Sequence, residues 1–455
     1  MRISETVETK DPHIRERLLA WANGNNVFCV LNSNADKQLF VDPYSKFDFI
    51  VAVGVVDEIV LNNEELKTRN ENAGSCFDLI KRFHQQKNDW LFGFLTYDLK
   101  NNNSRLGEHL KSENHDELEF PGLHFFQPRY ILEIESGQIR IDYLAGHDTE
   151  LSARKILNDI LKQDFFIPGF KNDFQIQSGI SKQEYISSVE KIKQHIQRGD
   201  IYEMNYCVEF FAADTSIQPL EIYLKLNEIS PMPFSCFYRM NNHSLVCASP
   251  ERFLAKSGNK IISQPIKGTA RRGKNRIEDD QVITRLRNDP KEQSENVMIV
   301  DLVRNDLSRT ASKGSVHVEE LFGIYTFRQL HHMISTIVSD IREDVHFTDV
   351  ISHAFPMGSM TGAPKVRAMQ LIEDYEETKR GLYSGSVGYI TPDGDFDFNV
   401  VIRTILFNLE KKYLSFMVGS AITANSIPEK EYDECLLKAN AMLNALSTNQ
   451  PVTKN

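Results

Sequence analysis

The segment Gln264-Pro265-Ile266-Lys267-Gly268-Thr269 follows the β-type run Lys260-Ile261-Ile262 and places a lysine between a proline and a glycine. Pro265 fixes one backbone angle and Gly268 permits unusual ones, so we expect a tight connection that presents Lys267 in a defined direction. Such a lysine is a candidate nucleophile, although a single lysine beside glycine is more often a solvated turn residue. Deprotonating an ordinary lysine at pH 7 costs about 4 to 5 kcal/mol. Burial and neighbouring cations would have to lower that cost.

The composition around this segment is that of a soluble globular protein. The chain has 455 residues, of which 41% are hydrophobic and 25% charged, which allows a large core and two or three domains. The net charge of -11 argues against nucleic acid as the main partner, because phosphate binding needs a basic face. An anionic small substrate would therefore need a locally basic pocket.

The same sequence gives no sign of a membrane or secretory protein. No apolar run approaches the roughly 18 residues of a membrane span, and the polar start of the chain is unlike a signal peptide. The six cysteines are scattered and form no C-x-x-C pair, so we expect reduced, buried thiols rather than disulfides or a zinc site. These features predict a cytoplasmic protein.

The chain divides into two regions. Residues 1–165 alternate short β-type runs with polar loops, and residues 130–141 predict a hairpin. Residues 164–180 contain the dipeptides Pro168-Gly169 and Ser178-Gly179, which are typical of a linker. The region 180–455 opens with the capping box Ser181-Lys182-Gln183-Glu184 and an apolar stripe that predict a helix. Strands and helices mix farther on, where 398–405 and 413–418 are among the clearest predicted strands; in the first region the β-type runs include 27–31 and 49–53.

Two predicted helices carry carboxylates at the edge of an apolar stripe. One begins near Asp289-Pro290-Lys291-Glu292 and carries Glu295, and the other begins at a second apparent capping box, Ser426-Ile427-Pro428-Glu429. Three side chains of the last helix share one face, Glu431, Glu434 and Lys438. Half-buried acids suit Mg²⁺, which takes one or two protein carboxylates and keeps its other positions for water and substrate. Each set taken alone is more often a solvated helix face.

A Gly-rich segment precedes another predicted helix, at 366–375. It reads Gly358-Ser359-Met360-Thr361-Gly362-Ala363-Pro364-Lys365. Small residues, exposed amides and a lysine at a helix start predict an anion cradle. The segment lacks the Gly-Lys-Ser/Thr ending of a Walker A loop, and an isolated Gly-rich turn is more often structural.

Taken together, these segments resemble the chorismate-utilising enzymes, densely from Gly199 to Lys438 and more weakly in the N-terminal region. The matching segments are 199–202, 249–253, the Lys267 segment, Glu295 with 298–307, 360–365, 383–385, 402–404 and 431–438. The resemblance implies an α+β fold of two orthogonally packed antiparallel β-sheets with helices on the outside. It also implies that regions 1–165 and 180–455 form one compact unit.

Two positions divide the branches of this family. Lysine at 267 is similar to the branch that aminates chorismate to 4-amino-4-deoxychorismate, for 4-aminobenzoate and folate biosynthesis, whereas the anthranilate-forming branch carries alanine there. Isochorismate- and salicylate-forming members carry at position 203 a lysine that activates water, and this chain has Glu203. The aminating branch usually has glutamine there, so Glu203 departs from its pattern. Residues 418–422 are also less glycine-rich than the family pattern.

The resemblance also implies site residues. Glu295 and Glu434, with Glu431 nearby, would hold Mg²⁺ against the ring carboxylate of chorismate. Lys267 would attack C2 as the C4 hydroxyl leaves, with Glu251 as the proton donor, and ammonia would then replace the lysine by adding at C4. The substrate cations would also depress the lysine pKa. The implied substrate-binding residues are Thr361, Lys365, Tyr383, Arg403, Gly419, Lys438 and His332.

The implied partners are chorismate and a separate glutamine amidotransferase subunit that supplies ammonia. One alternative activity is anthranilate formation, which releases pyruvate and is distinguished by its product. A second alternative is a non-catalytic regulatory subunit with a decayed site. The intact set Glu251, Lys267, Glu295 and Glu434 argues against decay.

Overall fold

A computed structural model describes residues 1–446 except 41, 63–64, 66–74, 103–109, 111, 113, 136 and 166–173. The middle of the expected linker 164–180 therefore lies outside the described residues. The described helices are α1 (Ile14–Ala22), α2 (Cys76–Lys87), α3 (Glu150–Lys162), α4 (Lys182–Arg198), α5 (Pro219–Ile229), α6 (Arg276–Arg287), α7 (Pro290–Ser308), α8 (Phe347–Ala354), α9 (Lys365–Tyr375) and α10 (Pro428–Leu446).

The described residues also form twenty strands. They are β1 (Arg2–Glu8), β2 (Val27–Asn32), β3 (Phe49–Leu61), β4 (Leu91–Leu95), β5 (Leu123–Glu135), β6 (Gln138–Leu144), β7 (Gln177–Ser178), β8 (Glu203–Ala212), β9 (Phe234–Met240), β10 (His243–Ser249), β11 (Arg252–Ser257), β12 (Lys260–Gln264), β13 (Ile266–Arg271), β14 (His317–Thr326), β15 (Leu330–Asp340), β16 (Gly362–Ala363), β17 (Ser386–Ile390), β18 (Phe396–Asn399), β19 (Thr404–Asn408) and β20 (Tyr413–Ile422).

The strand network is antiparallel and divides at β5. One edge of β5 pairs with β3, and the other edge pairs with β4 over its first half and with β6 over its second half. From β3 the pairing runs through β2, β9, β10, β19 and β20 to β8. From β4 it runs through β17, β18, β11 and β12 to β15, which also pairs with β13 and β14. Strands of both predicted regions thus share one hydrogen-bonded network, while the orthogonal packing of two sheets stays a prediction.

Several predicted elements are confirmed at their expected places. The capping box at Ser181 begins α4, whose residues Tyr185, Val189 and Ile192 are buried. Asp289 caps α7 by accepting hydrogen bonds from the backbone N–H groups of Lys291 and Glu292. The predicted hairpin is β5–β6, and the other strands at 27–31, 49–53 and 413–418 lie within β2, β3 and β20. The six cysteines are buried free thiols.

Two predicted local structures, one strand and one helix cap, are wrong. The expected continuous strand 398–405 is broken, because β18 ends at Asn399 and β19 begins at Thr404, with Arg403 at a φ of 53° between them. The expected capping box of the last helix is absent: the Ser426 hydroxyl accepts a hydrogen bond from the Thr423 N–H, and α10 begins at Pro428. In the described part of the chain, no helix is long and apolar enough to span a membrane.

A buried ion pair between Arg380 and Glu376 holds together segments that lie far apart in the sequence. The Arg380 guanidinium donates to both carboxylate oxygens of Glu376, at 2.8 and 2.6 Å, and to the backbone carbonyls of Met360 and Asn205. Both side chains are at most 2% exposed. Arg380 therefore joins β8 to the Gly-rich segment 358–365.

Replacing Arg380 with methionine is expected to lower the free energy of unfolding by about 3 to 5 kcal/mol, because Glu376 would remain as an uncompensated buried charge. Urea unfolding of the variant and the wild type measures the difference. The matched control is Arg304→Met, whose guanidinium pairs with Asp301 at the surface and should contribute less than about 1 kcal/mol. Equal losses in the two variants would contradict the assigned role of Arg380.

Candidate active site

A cavity with a volume of about 860 Å³ lies where the two branches of the strand network approach each other, beneath α7 and α10. This volume is sufficient for a small organic substrate. Most of the predicted site residues line it, namely Lys267, Glu251, Tyr383, Arg403, Gly419, Lys438, His332, Glu295, Glu434 and Glu431. Thr361 and Lys365 are not among the lining residues.

Lys267 lies on a bulge in β13 rather than in the tight connection expected from the sequence. Ile266 pairs with Ile334 and Thr269 with His332, so two residues of β13 oppose one residue of β15. Gly268 takes a φ of 97°, which a side chain would strain, and a Cβ there would lie 3.1 Å from a Glu292 carboxylate oxygen. The bulge turns the lysine onto the cavity wall.

The Lys267 ammonium is held by a carboxylate. Its Nζ lies 2.6 Å from Oε1 of Glu203, and the two side chains are 11% and 2% exposed. Burial lowers the pKa of Lys267, but the opposing attraction of Glu203 and Glu295 is stronger, so the pKa lies above its ordinary value. The expectation that neighbouring cations depress this pKa is therefore wrong for the substrate-free protein, in which the nearest charges are negative.

Glu251 lies between β10 and β11, and its backbone N–H donates to the hydroxyl of Ser249. Burial raises the pKa of its carboxyl to about 7, although Ser359 and Lys267 act in the opposite direction. About half of the molecules would therefore carry a protonated Glu251 at neutral pH. A carboxyl group in this state can donate a proton to a leaving group.

The carboxylates of α7 and α10 provide the oxygen ligands that Mg²⁺ prefers. Oε1 of Glu295 accepts no hydrogen bond from the described residues, and Lys291 lies 3.7 Å from it. Burial and the charge of Glu203 raise the pKa of Glu295 to about 7, against the effect of Lys267. The described residues contain no ready group of three or more metal-ligand side chains. Since Mg²⁺ needs only one or two protein carboxylates, the residues fit this ion.

Glu434 and Glu431 complete the acidic side of the cavity. Attraction by Lys438, whose ammonium lies 2.7 Å away, lowers the pKa of Glu434 against the opposing effect of its partial burial. Glu431 is 4% exposed and lines the same wall. The ionised state of Glu434 suits a role as metal ligand, because a ligating carboxylate must be deprotonated.

Arg403 is the cation best prepared for an anionic ligand. Its guanidinium lines the cavity and makes no hydrogen bond or ion pair with any described residue. Burial lowers its pKa, yet an arginine stays charged at neutral pH. Lys438 also reaches the wall, where it donates to the backbone carbonyl of Gly419 at 2.9 Å. An unpaired, half-buried guanidinium favours binding of a carboxylate.

His332 contributes a neutral group. Its Nδ1 lies 2.8 Å from the Thr269 hydroxyl, and its Nε2 is buried without a hydrogen-bond partner among the described residues. Burial and the charges of Arg403 and Lys438 lower its pKa to about 3. His332 therefore offers the cavity a polar ring atom without a charge.

The Gly-rich segment does not form the predicted anion cradle. The Lys365 ammonium donates to Asp306 at 2.9 Å and to the carbonyl of Ala354 at 2.8 Å. The Thr361 hydroxyl donates to backbone carbonyls of its own turn. Gly362 packs so closely on β8 that an added Cβ would lie 2.1 Å from the carbonyl oxygen of Glu203. The segment therefore shapes the base of the site, and its lysine is already paired.

The sequence interpretation gave no role to two charged residues at this site, Glu203, which pairs with Lys267, and Lys291, which lines the cavity. Glu203 was noted only as a departure from a pattern, and nothing in the sequence placed it against Lys267, 64 positions away. Lys291 lines the wall one helical turn before Glu295, and this i, i+4 spacing could have identified it.

Comparison with known proteins identifies the family of the chain. The sequence profile of the chorismate binding enzymes matches residues 28–444. The chain belongs to this family. It is 33% identical to aminodeoxychorismate synthase component 1 of Bacillus subtilis, covering 80% of this chain and 78% of that protein. It is 32% identical to anthranilate synthase component 1 of Thermus thermophilus, covering 78% and 76%.

The chain also resembles a longer plant protein and a solved structure of similar fold. The chain is 41% identical to the probable aminodeoxychorismate synthase of Oryza sativa, which covers 59% of this chain. It spans only 31% of the length of that plant protein. The crystal structure of anthranilate synthase component I from Streptococcus pneumoniae aligns with a TM-score of 0.74 at 24% identity, covering 89% of this chain and 93% of that one. This neighbour supports the fold of mixed helices and antiparallel strands.

Proposed function

We propose that the protein is an aminodeoxychorismate synthase of the component 1 type, which converts chorismate and ammonia to 4-amino-4-deoxychorismate. The observation that carries the proposal is the Lys267 amine on the cavity wall, in a site that also contains the protonatable Glu251 and the unpaired Arg403. The names of the Bacillus subtilis and Escherichia coli relatives, at 33% and 31% identity, support it. So does the family pattern, in which lysine at this position marks the aminating branch.

Substrate binding uses the opposite charges of the two cavity walls. Chorismate is a dianion, and Arg403 and Lys438 would attract its carboxylates. Glu295 and Glu434, with Glu431 nearby, would hold Mg²⁺. The ion, when bound, would neutralise a substrate carboxylate beside these acids. Tyr383 and His332 would contact the substrate as uncharged groups.

The covalent step uses Lys267 as the nucleophile. The Nζ lone pair of the neutral amine bonds to C2, the two ring double bonds each shift by one position, and the C4–O bond breaks. Glu251 donates its proton to the departing hydroxyl, which leaves as water. Ammonia then bonds to C4, the double bonds shift back, and the C2–N bond breaks to release the lysine. The proton lost from ammonia returns to Glu251, and the enolpyruvyl ether is retained.

The ammonia would come from a separate glutamine amidotransferase subunit. The relatives are named as a first component, which fits a partner of this kind. An ammonium salt can replace such a partner in an assay of the purified chain. A cytoplasmic location is also proposed, since six buried free cysteines fit a reducing compartment.

Product analysis tests the proposal. Purified protein is incubated with chorismate, Mg²⁺ and an ammonium salt, the products are identified by mass spectrometry, and pyruvate is measured in parallel. We expect an aminated ring that keeps its enolpyruvyl ether, with no pyruvate. Anthranilate with stoichiometric pyruvate would favour the second candidate, supported by relatives such as that of Thermus thermophilus. No turnover at all would favour the non-catalytic subunit.

Removing the metal is expected to abolish the activity, because the acidic wall would then repel the substrate. EDTA treatment followed by Mg²⁺ titration measures this dependence. Glu434→Gln should raise the Mg²⁺ concentration for half-maximal activity by at least about tenfold. The matched control is Glu429→Gln in the first, exposed turn of the same helix, which should leave it unchanged. Full activity in EDTA would contradict the metal assignment, and Mn²⁺ binding followed by electron paramagnetic resonance provides a readout that is independent of turnover.

A further inference from the structure

The Glu203–Lys267 pair has a feature that a simple structural ion pair lacks. One carboxylate oxygen of Glu203 contacts the lysine at 2.6 Å, while the other, Oε2, is buried and accepts no hydrogen bond from the described residues. A structural carboxylate at 2% exposure would normally have its remaining lone pairs satisfied. A carboxylate that has an oxygen without a hydrogen bond, and that lies beside an ammonium, can instead accept a proton from that ammonium.

We infer that Glu203 is the catalytic base that takes the proton from the Lys267 ammonium and so produces the nucleophilic amine. The inference rests on the proposed function, because it assigns the activation of the lysine that attacks chorismate. Glutamine, which the family resemblance leads us to expect at this position, could hydrogen-bond to the lysine but could not accept its proton. Glu203 therefore gives this chain a route of lysine activation that a glutamine would not provide.

Backbone hydrogen bonds to the Gly-rich segment fix the position of Glu203 beside Lys267. Glu203 is the first residue of β8 and pairs with Ala363 of the two-residue strand β16. The Tyr202 N–H donates to the Ala363 carbonyl at 2.7 Å, and the Asn205 N–H donates to the Thr361 carbonyl at 2.8 Å. Gly362 allows this approach, since any Cβ there would collide with the Glu203 carbonyl. The Gly-rich segment thus positions the base rather than the substrate.

The proton transfer balances without another reactant. In the resting state Lys267 is an ammonium without a lone pair, and Glu203 is a carboxylate. One proton passes from Nζ to Oε1 and leaves a neutral amine beside a neutral carboxyl group, a pair that burial disfavours less than the ion pair. The amine attacks C2 and becomes a secondary ammonium. When ammonia displaces it, the lysine leaves as an amine and recovers the proton from Glu203.

The charged groups around Lys267 explain why an internal base is needed. The groups that act on Lys267 from the surrounding elements are Glu203 of β8, Glu251 before β11, Glu292 and Glu295 of α7, and Glu434 of α10. Arg403, Lys438 and Lys291 line the same cavity. Without Glu203, the remaining carboxylates would still favour the ammonium at neutral pH. Because Glu251 is assigned to the leaving hydroxyl and Glu295 and Glu434 to the metal, the lysine would then have to lose its proton to solvent.

The test is the pH dependence of Glu203→Gln relative to the wild type. With chorismate, Mg²⁺ and saturating ammonium salt, kcat/KM of the variant should be lower by about 100-fold or more at pH 7. The ratio of variant to wild type should then rise by about tenfold per pH unit, because the fraction of neutral amine rises by that factor below the lysine pKa. Taking the ratio at each pH removes the titrations that the two proteins share.

Two further variants keep the test decisive. Glu203→Asp retains a carboxylate and should show a reduced kcat/KM with the wild-type pH profile, which answers the question if Glu203→Gln does not fold. Glu209→Gln removes another buried carboxylate of β8, which contacts Tyr413 and Thr378 away from the cavity, and should leave the pH profile unchanged.

The outcomes separate this inference from the proposed function. If the wild type forms 4-amino-4-deoxychorismate and the Glu203→Gln ratio stays near one, or is low but independent of pH, Glu203 is not the base and the proposed function survives. If the wild type forms no such product, the proposed function fails first. A ratio that rises with pH in a folded variant supports the inference.

Discussion

The Lys267→Ala variant is expected to lose at least about a thousandfold in the rate of 4-amino-4-deoxychorismate formation, because it removes the nucleophile of the covalent step. The loss should appear in kcat as well as in kcat/KM, since the C2–N bond forms after substrate binding. Chorismate should still bind, through Arg403 and Lys438 on the cavity wall. The measurement combines the rate of product formation with a direct binding assay for chorismate.

A matched lysine provides the control. Lys260 lies in the preceding strand β12, and its ammonium pairs with Glu319 at the surface. Lys260→Ala should therefore keep the wild-type rate. Product formation by Lys267→Ala at a rate similar to that of Lys260→Ala would contradict the covalent role. Thermal unfolding of both variants shows whether the loss of the buried Glu203 partner has also destabilised the fold.

A trapped intermediate gives a second measurement of the same role. Wild-type protein is quenched with acid during turnover, digested and analysed by mass spectrometry. The peptide that contains Lys267 should carry the added mass of the dehydrated substrate, and the corresponding peptide of Lys267→Ala should carry none. Steady turnover without any adduct on this peptide would contradict a covalent mechanism even if the variant were inactive.

The sequence predicts those parts of the site that local chemistry determines. Lys267 stands out because proline and glycine flank it, and Glu295 because an N-cap places it one turn into a helix. These signals depend on spacing within a few residues, so they are readable without a fold. The family resemblance added Glu251, which has no local signal of its own. All three residues lie on the wall of one cavity.

The sequence does not predict the features of the site that depend on contacts between residues far apart in the chain. The run 398–405 has the composition of one strand, yet tertiary contacts break it at Arg403 and direct that guanidinium toward the cavity. Lys365 follows a Gly-rich turn as an anion-binding lysine would, yet Asp306, 59 positions earlier, pairs with it. Glu203 contacts Lys267 because the fold brings together β8 and β13, which belong to different branches of the strand network. No local pattern contains this information.

A large change of the catalytic rate with pH is also expected, because Glu251 must be protonated to act as the acid. Because burial raises the pKa of Glu251 to about 7, its carboxyl is protonated below that pH and loses the proton above it. A general acid must hold its proton when the C4–O bond breaks, so wild-type kcat/KM, which reports the groups of the free protein, should fall by about tenfold per pH unit well above pH 7. The measurement is kcat/KM for chorismate at saturating ammonia from pH 7 upwards.

Glu251→Gln should lower kcat/KM by about 10²- to 10⁴-fold at pH 7 and remove this decline with pH, because an amide cannot donate the proton to the leaving hydroxyl. The fold should tolerate the change, since the amide has nearly the same shape and the backbone contacts of residue 251 to Ser249 and Val400 remain. Glu209→Gln is again the matched buried control and should keep the wild-type decline. A decline near pH 7 that persists in Glu251→Gln would assign the titrating group elsewhere, with Glu295 the next candidate because its pKa is also raised to about 7.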